Sequence, residues 1–243
     1  MPRSWSAPTK LYRRLAGALA AAAWCAVAAA LPPAELTITY ESTYRGFMTA
    51  VIGEVTEELR HGGGKYEIRE TTRGRGPLAL RGTISRSSRG TVAPDGLHPQ
   101  EFVDERTGRP TARVSFDWAA NRMTMQFREG PEVQPIPPNA HDRLSFILNF
   151  AFAPPTDKPV KMSVADGGSV SRYTFQVVGR ERIRVPAGEF DTVRVARLKD
   201  GPEDKRASEM WLAPSLGYIP VRMLATDKDG SQLDQVATKI SGA

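Results

Sequence analysis

"HDRLSFILNFAF", residues 141–152, is where this 243-residue chain leaves strand-like alternation for a clear helical period. At 100° per residue, Leu144, Ile147, Leu148 and Ala151 fall on one stripe, and Phe146 and Phe150 widen the apolar arc well beyond it. Only Asp142, Ser145 and Asn149 define a polar strip. An arc this wide belongs to a helix enclosed on most sides. Asn139, following Pro137-Pro138, is the expected N-cap, with Asp142 supporting the first turn; Pro154-Pro155 ends the element. A helix is therefore expected over 139–152, with His141 exposed in its first turn.

On either side the chain alternates. "TARVSFDW" (111–118) and "RMTMQF" (122–127) flank a short connection. "VKMSV" and "SVSRYTFQVV" flank Asp166-Gly167-Gly168, and "ERIRV" and "FDTVRVARL" flank Pro186-Ala187-Gly188. "YIPVRMLAT" and "SQLDQVATKI" flank Asp227-Lys228-Asp229-Gly230. Period-two runs separated by Gly, Asp and Pro are hairpin signals. About ten strands are expected, with one apolar face and one face rich in Arg, Thr and Ser. Residues 46–60 read either as a long strand or as partly helical. Pro220 has no N–H for a ladder, which places it at an edge or a bulge. The fold expected is mainly β: a single domain, a strongly curved antiparallel sheet or open β-barrel enclosing one short α-helix.

The N-terminus indicates the compartment. Residues 1–30 hold Arg3, Lys10, Arg13 and Arg14 and no acid, and residues 15–30 are uncharged and Ala-rich. A basic start, a short apolar run and a small-residue end describe a signal peptide cleaved near 28–31, and a periplasmic protein. The lone cysteine, Cys25, lies within that segment after Trp24, where a lipidation site requires a small residue. The β-rich domain then spans 31–243 and carries no thiol. Losing four basic residues also lowers the net charge from +6 to +2, which weakens any case for nucleic-acid binding.

Three C-terminal motifs, "VPAGEFDTVRVARL" (185–198), "MWLAPSLGYIPVRM" (210–223) and "DGSQLDQVATKI" (229–240), follow "SRGTVAPDGLHPQEF" (88–102), "VSFDW" and "HDRLSFI". In this order they resemble the bacterial exported family catalogued as domain of unknown function 3108. The resemblance spans about 36–240. It implies a β-rich envelope protein whose curved sheet is similar in outline to periplasmic lipoprotein carriers, and it implies no particular chemistry.

The residues offer little catalysis. His61, His98 and His141 show no paired ligand spacing. "HGGGK" (61–65) lacks the Gly-x-Ser-x-Gly elbow that would make it an oxyanion loop, and reads as a turn. Asp104, Glu105, Asp117, Asp142, Glu189 and Asp191 suggest no particular catalytic pair. No catalytic residue, metal ligand or cofactor is assigned. The helix either plugs the sheet as core or lines an apolar cavity, for which Leu144, Ile147, Leu148, Phe150, Ala151 and Trp211 are the candidates. Arg69, Arg73, Arg81 and Arg86 lie in a locally basic stretch suited to anionic headgroups. The reading is an exported, non-enzymatic, monomeric envelope protein that binds an apolar or amphipathic ligand such as a lipid, or an envelope protein. Its alternatives are a solid structural or assembly module and an envelope-polymer hydrolase.

Overall fold

A computed structural model describes residues 31–128 and 130–242. The expected signal segment and Cys25 lie outside them. Among the described residues the expected alternation forms fifteen strands. These are β1 (Glu35–Arg45), β2 (Thr49–Gly62), β3 (Lys65–Gly74), β4 (Thr83–Ala93), β5 (Gly96–Arg106), β6 (Ala112–Asp117), β7 (Arg122–Gln126), β8 (Pro131–Gln134), β9 (Ala140–Asp142), β10 (Val160–Ala165), β11 (Val170–Val185), β12 (Gly188–Arg197), β13 (Ala207–Ala213), β14 (Ile219–Thr226) and β15 (Gln232–Gly242). One helix, α1 (Ser145–Phe152), separates β9 from β10. Residues 46–60 resolve into the β1–β2 turn and a long strand. The count exceeds the expected ten partly because β4 carries inward-facing Arg86 and Ser88, which hide its alternation behind polar residues.

All fifteen strands form one sheet in the order β8-β7-β6-β5-β4-β3-β2-β1-β15-β14-β13-β12-β11-β10-β9. Two meanders run outward from the central β1–β15 pair. Every pairing is antiparallel except β9–β10, which is parallel because α1 carries the chain across. The two edge strands are joined by residues 135–139 alone. Such a connection reaches about 20 Å at full extension. The edges of a flat fifteen-strand sheet would lie about 67 Å apart at the usual strand spacing. The sheet must therefore curl until its edges approach, as an open rather than closed barrel. Register shifts at Thr39/Tyr40, Ser42/Thr43, Arg89/Gly90, Val177/Gly179 and Trp211/Leu212 supply local bends. The last confirms Pro220: its strand is interior, and the ladder to β13 skips Val221 beside it.

The curl encloses α1, which packs against β5, β14 and β9. Leu144, Leu148, Ala151 and Phe152 join a cluster with Ile38, Tyr40, Ile68, Phe102 and Val114. Phe150 joins a second one with Met162, Phe175, Val195, Met210 and Leu212, against which Ile147 packs. The helix thus fills the space between the two meanders, which explains its wide apolar arc.

Its start differs from expectation. Residues 140–142 are strand β9, and the helix begins six residues after Asn139. Asn139 instead takes a left-handed conformation (φ 48°) and donates from Nδ2 to the Lys161 carbonyl at 2.7 Å, closing β9 onto β10. The capping role passes to Asp142: its Oδ1 accepts the backbone N–H groups of Leu144 and Ser145 at 2.8 and 2.9 Å, and its Oδ2 accepts the Ser88 hydroxyl at 2.6 Å. One carboxylate therefore caps the helix and ties it to β4. His141, expected to be exposed, is buried on β9, with Nε2 3.0 Å from Asn139 Oδ1.

Candidate functional site

The concave face is not filled along its whole length. At the end of the barrel beyond the N-terminus of α1 lies a cleft of about 560 Å³. Cross-strand register builds its wall. Tyr44 pairs with Leu233, Leu233 with Ala225 and Ala225 with Ser208, and farther along the sheet Arg197 pairs with Phe175. Phe146, from the first turn of α1, faces Tyr173 and Phe175, each with ring centroids 6.3 Å from its own. Tyr173 and Phe175 share this face because they are two residues apart on one strand. Ile52 and Val164 add further apolar lining.

The rim is charged. Arg197 lies over the Tyr173 ring, 5.6 Å from its centroid, and is held by Asp200 at 2.6 Å and by Asp204. Arg206, largely exposed, also reaches Asp204. Arg143 lies 3.9 Å from Asp166, a half-exposed pair that solvent screens. Arg143 and Arg206 thus stand at the mouth of a cleft whose wall is largely aromatic and aliphatic but also carries Asp166, Asp227 and several hydroxyl side chains.

The helix residues named from sequence do not line this cleft. Leu144, Leu148, Phe150 and Ala151 are packed as core, Ile147 is half-buried beside the second cluster, and Phe146 is the helix residue that reaches the lining. Trp211 points away from it. Met210 and Leu212 pack with Phe150, so Trp211 between them projects from the opposite face. There its Nε1–H donates to Glu181 Oε1 at 2.9 Å, and the Arg222 guanidinium lies 4.7 Å from its ring. Tyr173 and Phe175 were missed, although the alternating aromatics of "SRYTFQ" were the available signal.

The arginines named from sequence are split between faces. Arg69 and Arg73 lie on the exposed face, where Arg69 pairs with Glu67 at 2.7 Å. Arg81 lies in the 3-10 turn Gly76–Arg81. Arg86 is on the concave face, paired with Glu70 at 2.5 Å and Asp104 at 3.0 Å. Strand alternation separates even from odd positions, so residues close in sequence do not form one patch.

Arg86 belongs to a buried row that the sequence did not reveal. Glu57, Glu70, Arg86 and Asp104 are successive cross-strand partners on β2 to β5, and Arg106 closes the row on Asp104 at 2.7 Å. Glu57 is buried, its Oε1 has no hydrogen-bond partner, and burial, then the Glu70 charge, pushes its carboxyl up to about 8. In a second polar set, the Tyr66 and Ser88 hydroxyls lie 3.0 Å apart beside Asp142. Neither set joins a hydroxyl to a histidine base: His141 contacts Asn139, His98 contacts Asp95 and His61 contacts the Pro32 carbonyl. Among the described residues no group of three or more His, Cys, Asp or Glu is placed to hold a metal ion. No helix among them is long and apolar enough to cross a membrane.

No curated protein matches the chain. Two solved structures align with most of the chain. A lipoprotein candidate from Parabacteroides distasonis aligns with 12% identity over 87% of this chain and 97% of that one, at a TM-score of 0.36. An exported-protein candidate of YmcC-like fold from Bacteroides fragilis aligns with 13% identity over 87% of this chain and 98% of that one, at a TM-score of 0.38. The sequence itself is decisive: residues 39–237 match the family described as protein of unknown function (DUF3108), and the chain belongs to that family.

Proposed function

We propose that this is an exported, periplasmic protein that binds an amphipathic ligand, with an acyl-like body in the cleft and an anionic head at its rim. The observation that carries this reading is the cleft itself. Its volume of about 560 Å³ falls within the range of about 300–1,000 Å³ usual for small-molecule sites. Its lining combines four aromatic rings, those of Tyr44, Phe146, Tyr173 and Phe175, with aliphatic side chains, and its rim offers Arg143 and Arg206. Burial of an acyl chain contributes about 0.8 kcal/mol per methylene, and a guanidinium fork suits a carboxylate or phosphate. Export is supported by the basic, then apolar, then Ala-rich order of residues 1–30.

Ala225 lines the cleft and is exposed within it, so its substitution leaves the packed core intact. Titration with a fluorescent fatty acid should show saturable binding by the wild type and at least a tenfold loss in Ala225→Trp, with unchanged far-UV circular dichroism. Undiminished uptake by a folded Ala225→Trp would overturn the reading and favour a solid structural module.

A further inference from the structure

Beside the mouth of the cleft the β1–β2 turn carries large apolar side chains in the open. Phe47 is 90% exposed and Met48 54%; Val51, in the first residues of β2, is 41% exposed, and Leu80, in the 3-10 turn Gly76–Arg81, is 92% exposed. The two segments lie at one end of the sheet: that turn packs against β2 and β3, and Arg75 N–H donates to the Ile52 carbonyl at 2.9 Å. Tyr44 and Ile52, both lining the cleft, flank the β1–β2 tip, and the Tyr44 and Phe47 ring centroids are 5.8 Å apart. Arg45, Arg73 and Arg75 surround it.

We infer that this edge docks the protein on the surface of an anionic phospholipid bilayer, with Phe47, Met48 and Leu80 entering the headgroup–acyl boundary. Shape and charge favour this occupant. A protein partner normally covers about 800 Å² with a complementary surface, whereas a protruding turn with a few apolar side chains offers only points of insertion. Amphipathic elements dock by placing aromatic and aliphatic side chains in the interface and cations at the level of the headgroups. Arg45 and Arg75 pair with Asp234 and with Glu41 and Glu54, and both arginines are about half exposed. The pairs of Arg75, whose partners are also open to solvent, are weak, so its guanidinium can turn to lipid phosphate, whereas Arg45 is held by a buried Asp234. The docking role deepens the ligand-binding reading and rests on it for its purpose: a mouth held at the membrane shortens the path of an amphipathic ligand. The exposed side chains are independent of that reading.

The test is co-sedimentation of the purified protein with vesicles of phosphatidylcholine alone and with 30% phosphatidylglycerol added, the percentage being on the order needed for a strong surface potential. The wild type should bind the anionic vesicles, and added salt should weaken that binding. Phe47→Ser with Met48→Ser should lower partitioning at least tenfold, as should Leu80→Ser with Arg73→Gln and Arg75→Gln. All these sites are exposed, so the variants should remain folded. Ala225→Trp should keep vesicle binding while losing the fatty-acid probe, and the Phe47 variant should keep the probe in the absence of vesicles. This crossover separates failure of docking from failure of the cleft. Equal vesicle binding by wild type and tip variants overturns the inference, as does no binding by the wild type. Sedimentation as a dimer that the tip variants dissolve would instead assign the edge to a second copy and also overturn it.

Discussion

Glu57 allows the packing of the concave face to be tested by pH alone. Its carboxyl is pushed up to about 8 from 4.5, first by burial and then by the Glu70 charge. Between these values the folded chain keeps a proton that the unfolded chain has released, so stability falls as pH rises. The slope is about 1.4 kcal/mol per pH unit, or about 5 kcal/mol over the whole window. His141 acts in the opposite sense. Burial and the charge of His98 lower its ring to about 4 from 6.5, so it contributes stability that is lost as pH falls through that range. The two slopes largely cancel between 4.5 and 6.5. Above 6.5 His141 no longer opposes Glu57. About 2 kcal/mol should therefore be lost from Glu57 between pH 6.5 and 8. Glu57→Gln keeps the shape of the neutral acid and cannot ionise. Urea unfolding near pH 4 should give similar stabilities for the two proteins, while near pH 5.5 the variant should be more stable by about 1 kcal/mol and near pH 8.5 by several kcal/mol. Parallel stability curves across this range would refute both the buried placement of Glu57 and the acid row it begins.

Leu148 is fully buried in α1, so Leu148→Ala should lower stability by about 2–5 kcal/mol in chemical denaturation, against well under 1 kcal/mol for a solvent-facing site. Gly96 has φ +123°, and an added Cβ would overlap Asn149 Oδ1, the acceptor of the Leu97 N–H at 2.8 Å. Gly96→Ala should therefore destabilise by about 2 kcal/mol or more and lower the melting temperature; a neutral result would contradict the docking of α1 on β5. N-terminal sequencing of the exported protein should find a start following residues 28–31; a chain beginning at Met1 would make it membrane-anchored instead.

The β-rich class was legible because alternation is local: "TARVSFDW" and "RMTMQF" place their apolar residues on one face whatever surrounds them, and Gly- and Asp-rich turns mark the hairpins. The enclosure of α1 was legible for the same reason, since an apolar arc wider than one stripe needs cover on several sides. The start of α1 was not, because Asn139 and Asp142 are both good caps in isolation; pairing of β9 with β10 chose between them. Nor was the cleft. Tyr44, Phe146, Tyr173 and Ala225 are scattered along the chain and meet only where the two meanders curl together. The Glu57–Glu70–Arg86–Asp104 row depends on register across four strands, and each of its residues alone reads as an ordinary surface charge. Local periodicity decides which face a side chain takes. Closure of the sheet, forced by a five-residue link between its edges, decides which of those faces becomes core, cleft or exposed tip.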